Sequence, residues 1–477
     1  LGAYEYPRPT NPNRAAKQQS SGIQLASTQE PAGPAKPTPD ATPNRLRPAY
    51  AQTETLPIDL PTVIRLVDAN SPSVGFAQAR VREAQARLKQ AEIQWLPNLS
   101  VGAAYTRFDG QTQNQRGDVF GVSRSNLFAS GGPALNFDFA EAIYRPLIER
   151  RLNAAEQQRL NAVVANAEFE AVSTYLELVQ LYASLDINAE TLKQAEAMLK
   201  AAENAKNAKL DRTAGDIQRA QTEVLFRQTE RITLEGRVGA TSARLGRLLL
   251  LQPSVKLVPA DAIIAPITLI DPATTIDQLL AQAVANRPDL AANREAIAAA
   301  WEQVNQQKRG PFLPKMTIAN QTGVFGGGLN NDLQNFSSRN ALNVQLFWEL
   351  RNLGLGNRAE VNQRQAQLDQ AQYQMIDSQA RAVAEIVEAA HVAGARYEAL
   401  ELAERAVKEA TELYRINKEG TFNVVDAKNL FDALRPLQAI QALNQARQSY
   451  LTAVIEFNRA QYQLLTLIGS KPSNAAK

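Results

Sequence analysis

The chain has no cysteine and a single histidine, His391, in 477 residues. Within this sequence that excludes disulfides, thiolate catalysis, Cys/His metal sites and a cysteine-borne lipid anchor. Absence of cysteine also suits an oxidising periplasm. Charge of one sign is lacking too: 51 Lys and Arg stand against 48 Asp and Glu, net +3, with no basic block. That balance argues against nucleic acid as a partner. No apolar run approaches the ~18–20 residues that a membrane helix needs; the longest candidates are Leu248 to Leu251 and the mixed stretch 262–270. A soluble protein and a β-barrel both stay open. The start at Leu1 rather than Met is what removal of an export signal would leave. There is no P-loop, nucleophilic serine motif or metal-ligand spacing, so the sequence predicts no enzyme, no metal and no cofactor.

What is there is a repeat. Residues 1–55 are rich in Pro, Ala, Thr, Gln and Asn, which predicts a flexible leader, and 470–477 reads as a short tail. Between them Ala69-Asn-Ser-Pro-Ser73 returns as Ala285-Asn-Arg-Pro-Asp289, and Trp95-Leu-Pro97 returns as Phe312-Leu-Pro314, at spacings of 216 and 217 residues. The matches are in register and too far apart for a solenoid, so they mark one duplication, 56–265 and 266–469. Each half reads as helix, Leu-Pro break, two strands, a very long helix, a turn and another helix.

The long helices carry a heptad seam. Leu160, Val164, Ala167, Ala171, Thr174, Leu178, Leu181, Leu185, Asn188, Leu192, Ala195, Leu199 and Ala202 alternate steps of four and three. Leu400, Ala403, Val407, Ala410 and Tyr414 repeat the spacing in the second half. The stretch 144–210 has no proline after Pro146 and would span ~100 Å as helix.

The strands, expected at about 98–108, 134–140, 315–325 and 340–350, alternate apolar with polar residues. Leu342, Val344, Leu346, Trp348 and Leu350, for example, interleave with Asn343, Gln345, Phe347 and Glu349. A soluble sheet would look like this, and so would a barrel wall with lipid outside and water inside. The stretches 110–132 and 326–339 are polar and Gly-rich and read as loops. Four strands are too few to close a barrel, and open edges cannot face lipid. A membrane-crossing version must therefore be an oligomer, and three chains would give twelve strands.

Further signatures sit in order along both halves: Trp348-Glu-Leu-x-x-x-Gly354 leads into Arg358-Ala-Glu-Val361, Gly420-Thr-x-x-Val-Val-Asp426 lies at the second helix turn, and Gly215-Asp-Ile-Gln-Arg-Ala220 at the first. With the repeated Asn-x-Pro and Leu-Pro pairs, they resemble the TolC family of outer-membrane efflux proteins across about 56–469. The resemblance implies a homotrimer with a twelve-stranded barrel in outer-membrane lipid and a long α-helical coiled-coil tunnel in the periplasm. It implies a passive exit duct for a tripartite efflux or type I secretion system, with a periplasmic adaptor protein and an inner-membrane pump as partners. The turns at 210–215 and 419–423 would form the periplasmic mouth, with Gly420, Thr421, Arg212 and Thr213 as adaptor-contact tips. Asp426 would ring the entrance and Asp216 would help hold the closed gate. The sequence departs from the family pattern at Asn429, Phe422 and Leu210, which stand where an acid, a basic gate residue and a tip glycine are expected; a salt-bridged closed gate is not expected here.

Other patterns have plainer readings. Gly354-x-Gly-x-x-Ala359 is formally a dinucleotide fingerprint, but the following helix is far too long for that fold, so it reads as a strand-to-helix bend. His391 and the pair Glu385/Glu388 read as packing or a solvated helix face. Asn188 reads as a register device or a tunnel-lining group. Tyr105, Phe137, Phe139, Tyr144 and Trp348 are candidates for an interfacial aromatic girdle, with ordinary sheet packing as the alternative. Asp216 and Asp426 are also what a helix N-terminus favours. The rival to the duct is a periplasmic coiled-coil scaffold or pump adaptor that never spans a membrane.

Overall fold

The structure, a computed structural model, describes residues 54–207, 214–252, 255–260, 265–330, 332–422 and 434–474. The expected leader lies outside them except for Glu54 and Thr55, which open a short strand, β1 (Glu54–Ile58). β1 pairs in parallel with β4 (Val255–Pro259), a contact the sequence reading did not anticipate.

The duplication is visible in the element order. The first half runs α1 (Leu60–Asn70), α2 (Pro72–Glu92), β2 (Asn98–Gln113), β3 (Val119–Asp138), α3 (Phe139–Asn207) and α4 (Ala214–Leu248). The second runs α5 (Ile276–Asn286), α6 (Pro288–Arg309), β5 (Lys315–Leu329), β6 (Ser337–Phe347), α7 (Leu355–Phe422) and α8 (Leu434–Leu467). The repeated Asn-x-Pro motif is the break between paired short helices: Asn70 and Asn286 end one, and Pro72 and Pro288 start the next. Proline fits the first helical turn because its missing N–H has no partner there anyway. The Leu-Pro pairs lie just before β2 and β5.

α3 and α7 contain 69 and 68 residues, roughly 100 Å each at the helical rise. α3 begins at Phe139, five residues earlier than expected, because the Asp138 carboxylate accepts from the backbone N–H groups of Ala140 and Glu141 at 2.9 and 3.1 Å. None of the seam residues of α3 is exposed. The seam packs on α4: Leu178 and Leu181 share a core with Leu234, Val238 and Leu245, and Leu192 and Ala195 with Val224. A second face of α3 is buried as well, with Val172 and Leu176 against Leu451 and Ile455 of α8 and Met198 against Leu437 and Ile440.

All four long strands form one antiparallel sheet in the order β2-β3-β5-β6, so the two halves of the duplication meet at β3–β5. β2, β3 and β5 are longer than expected, and β6 has the expected length but starts three residues earlier. Most of 119–132, read as loop, is the outer part of β3 paired with β2, and the turn shrinks to the residues between Gln113 and Val119. There Asn114 Oδ1 accepts from the N–H groups of Arg116 and Asp118 at 2.9 and 3.0 Å, and Gly117 takes φ +95°. The expected tail is packed as far as Ser473: Pro472 is buried, and Ser473 binds the carboxylate of Glu168 on α3.

Candidate functional site

The register sorts the sheet into two faces, because directly paired residues point the same way. Leu99, Val101 and Tyr105 share a face with Leu127, Leu135 and Phe137 of β3, Met316 and Ile318 of β5, and Leu342, Val344 and Leu346 of β6. The opposite face carries Ser100, Gly102, Asn136, Thr317, Gln345 and Asn343. Among the described residues no helix covers the apolar face: Leu99 is 78%, Val101 84%, Leu342 67% and Val344 60% exposed. An ordinary soluble sheet buries such a face, so its exposure among the described residues favours the barrel-wall reading. Among the described residues β2 and β6 each pair on one side only, which leaves a free edge at either end of the sheet.

The five girdle candidates separate by position. Phe137 pairs with Met316, which pairs with Leu346, so it lies at the helix end of the apolar face; Trp348 follows β6 and is exposed. Phe139, the first residue of α3, packs edge-on against Phe137 with ring centroids 4.8 Å apart. Tyr105, opposite Leu127, is ten residues further along β3 than Phe137, or about 33 Å. Tyr144 does not belong to the set. It is buried in α3 against Ile148 and Ala299, and its hydroxyl accepts from Arg309 at 2.9 Å, because the early helix start takes it away from the sheet.

Residues not singled out as girdle candidates join the helix end of the sheet. Trp95, Leu96 and Phe312 in the Leu-Pro breaks, and Leu350 and Leu353 after β6, are all exposed. Leu353 is 96% exposed and takes φ +57°, next to Asn352 at +50° and Gly354 at +89°. The Gly354-x-Gly segment is therefore a sharp strand-to-helix bend, as expected, and the strained Leu353 holds an apolar side chain outward at that bend.

At the other end of the long helices, α7 remains helical through Phe422, so Gly420 and Thr421 fall within its last turn rather than in a loop. Arg212, Thr213, Leu210, Asp426 and Asn429 lie outside the described residues. Asp216 lies in the first turn of α4, largely buried, and accepts from Arg219 Nη1 at 3.2 Å.

Asn188 is fully buried between helices and donates to Glu230 at 2.9 Å. Glu230 also accepts from Arg227 at 2.8 Å, Arg227 donates to Glu223 at 2.7 Å, and Glu223 accepts from Gln441 at 2.8 Å. The seam asparagine thus belongs to a polar network that ties α3 to α4 and α8, which is the register role rather than a tunnel-lining one. His391 is exposed on α7. Glu385 is not simply solvated: it accepts from Arg287 at 2.9 Å. Among the described residues no group of His, Asp and Glu is arranged to hold a metal ion.

The sequence family described as outer membrane efflux protein matches residues 279–470, nearly the whole second repeat. The pyoverdine export outer membrane protein OpmQ of Pseudomonas putida is 29% identical over 286 residues, 59% of this chain and 59% of its own length. Protein CyaE of Bordetella pertussis is 26% identical over 383 residues, 76% of this chain and 77% of its own. The outer-membrane channel OprN shares the fold with a TM-score of 0.69 at 19% identity, over 92% of this chain and 99% of that one. The second repeat thus matches the outer membrane efflux proteins in sequence, and the duplicated helix–strand fold is shared with an outer-membrane channel along nearly the whole chain.

Proposed function

We propose that three copies of this chain form an export duct across the outer membrane, the passive exit of a tripartite efflux or type I secretion system. The observation that carries this reading is the sheet itself: four long strands with two free edges and an uncovered apolar face. Free edges and an apolar face are compatible with lipid only if the edges are paired, and joining β2 of one copy to β6 of the next gives a closed wall of twelve strands. Polar residues then line a water-filled lumen, and Leu99, Val101, Leu342 and Val344 meet the acyl chains.

The aromatic positions support the same placement. The ~33 Å along the strand between Phe137 and Tyr105, at the tilt usual for such barrels, corresponds to a band about 25 Å tall, the height of an outer-membrane barrel's apolar belt. Phe137, Phe139 and Trp348, with Trp95, Phe312 and Leu353, take the periplasmic rim and Tyr105 the outer one.

The long helices carry the duct roughly 100 Å into the periplasm. Gly420, Thr421, Arg212 and Thr213 at their tips contact the adaptor, which couples the duct to an inner-membrane pump. Asp426 rings the mouth, and Asp216 holds the first helix hairpin near it. The pyoverdine export for which OpmQ is named makes small exported metabolites the first cargo to test. The test of the assembly is the mass of the detergent-extracted particle by light scattering, corrected for bound detergent, followed by conductance in planar bilayers. A particle of three chains that conducts supports the duct; a water-soluble monomer sinks it in favour of the periplasmic scaffold.

A further inference from the structure

The face of the sheet assigned to the lumen is polar but not featureless. The Arg339 guanidinium carbon lies 5.2 Å from the centroid of Phe128 and 5.1 Å from that of Phe325, and the two rings meet edge-on at 6.2 Å. Arg124 stands 5.5 Å over Phe108, its direct partner across β2–β3. The register puts all five side chains on the same face as Ser100 and Asn343, opposite the apolar one.

Their height along the wall is also fixed by the register. Phe128 pairs with Ala104, beside Tyr105, and Arg124 pairs with Phe108, four residues or about 13 Å further from the helices. The two guanidinium groups therefore form two tiers at the end of the sheet remote from the helices.

The charge at this level is uncompensated. Of the residues that the register places on this face between Ser100 and Thr112, and of their partners on β3, β5 and β6, none is acidic. Among the described residues no carboxylate lies within ion-pair distance of Arg124 or Arg339, whereas Arg107, on the opposite face, is paired with Asp109. A guanidinium held over aromatic rings still has N–H groups to offer an anion, and the rings give a planar solute a surface to stack on.

We propose that Arg339 with Phe128 and Phe325, and Arg124 with Phe108, form a basic aromatic collar inside the outer end of the duct that takes anionic, preferentially planar aromatic, solutes on their way out. This rests on the reading of the sheet as a barrel wall, which would repeat the collar in each of three copies. Rings of arginine favour anions in other pores, and in a narrow low-dielectric wall their field raises the local anion concentration. Stacking adds discrimination between an aromatic anion and an aliphatic one of the same charge.

The test uses the full chain reconstituted in planar bilayers, with naphthalene-2-carboxylate or cyclohexanecarboxylate added on the barrel side. In the unsubstituted protein the naphthoate should block current at about tenfold lower concentration than the aliphatic acid, a difference in the range expected for stacking and cation–π contact. The double variant R124Q/R339Q should lose block by both anions and move the reversal potential in a KCl gradient toward cations. R339K, which keeps the charge but not the planar group, should keep the chloride preference and lose the aromatic discrimination. F128L/F325L serves as a second route to the same loss should the arginine variants assemble poorly. Pores that form normally but show unchanged block and unchanged reversal potential in R124Q/R339Q overturn the collar alone. Protein that forms no trimer and no pore overturns the barrel reading, and the collar with it.

Discussion

The Arg287 guanidinium bridges Asp289 at the start of α6 and Glu385 on α7. Nε and Nη2 reach the two oxygens of Asp289 at 3.1 and 2.8 Å, and Nη1 reaches Glu385 at 2.9 Å. Burial works against the Asp289 charge, but the guanidinium outweighs it and holds that carboxyl below its ordinary range. In the first repeat the same motif carries Ser71 and Ser73, whose hydroxyls meet at 2.9 Å. The duplication thus kept the proline junction in both halves and placed an ion clamp in one. Arg287→Ala would leave two half-exposed carboxylates facing each other where a largely buried guanidinium stood, and should cost roughly 1–2 kcal/mol of stability, after solvent screening, in thermal or denaturant unfolding in detergent. Arg381→Ala, which removes an exposed pair with Asp377, should cost under about 1 kcal/mol. Equal losses would mean that the clamp adds nothing beyond a surface ion pair.

Glu168 on α3 is fully buried, and Ser473 binds it through its backbone N–H at 2.8 Å and its hydroxyl at 3.2 Å. Burial pushes its pKa up to about 7 and the neighbouring Asp68 adds to the rise, while the bonds from Ser473 pull the other way. In the unfolded chain the ordinary value is 4.5, so between the two values the folded protein holds more protons. Stability contributed by this group is therefore present below about pH 4.5 and falls as pH climbs to about 7, by on the order of 3 kcal/mol. Melting temperature measured across pH 4.5–8 should decline less steeply in Glu168→Gln than in the unsubstituted protein. Parallel curves would show that the group titrates alike in both states.

How much of this was legible follows from what each residue reports. The seam from Leu160 to Ala202 was readable because a heptad has one period, and it turned out to be the face toward α4. The second buried face, with Val172, Leu176 and Met198, was missed: apolar residues on two sides of one helix blur the alternation that reveals either. The outer half of β3 was missed because Gly121, Gly131, Gly132 and several serines read as loop, although glycine in a strand also marks close backbone approach. β1 was hidden by its five-residue length and by Pro57 within it. The Arg339–Phe128–Phe325 cluster had no linear signal at all, since its members lie on three strands that only register brings together. Tyr144 looked like its aromatic neighbours until the Asp138 cap placed it inside α3 rather than at the helix start.

At the periplasmic mouth, three copies of Asp426 would concentrate negative charge in a narrow ring, where a like-charge cluster attracts cations most strongly. Asp426→Asn should weaken cation preference, or block by divalent or polyvalent cations added on the helix side, while leaving block by naphthoate from the barrel side intact. The two ends of the duct would then act independently. Unchanged ion selectivity and unchanged cation block in Asp426→Asn pores would remove the residue from the mouth.

The seam between the two repeats sets the last expectation. A Cβ on Gly132 would lie 1.8 Å from the backbone oxygen of Asn320, and one on Gly323 would lie 2.0 Å from that of Ala129. Both clashes are with backbone across β3–β5, so no side-chain rotation relieves them and the strands themselves must part. Because the sheet is one layer with its halves joined at this ladder, parting it there breaks the wall rather than denting it. Gly323→Ala should therefore abolish most of the conducting trimer while the helices keep their far-ultraviolet circular dichroism, since their cores with α4 and α8 lie elsewhere. Gly102→Ala, where nothing stands within 4 Å of the added carbon, should assemble and conduct normally. Normal trimer mass and conductance in Gly323→Ala would mean that the repeats tolerate a wider seam than their pairing implies; loss in both variants would point to strand flexibility rather than to close approach at β3–β5.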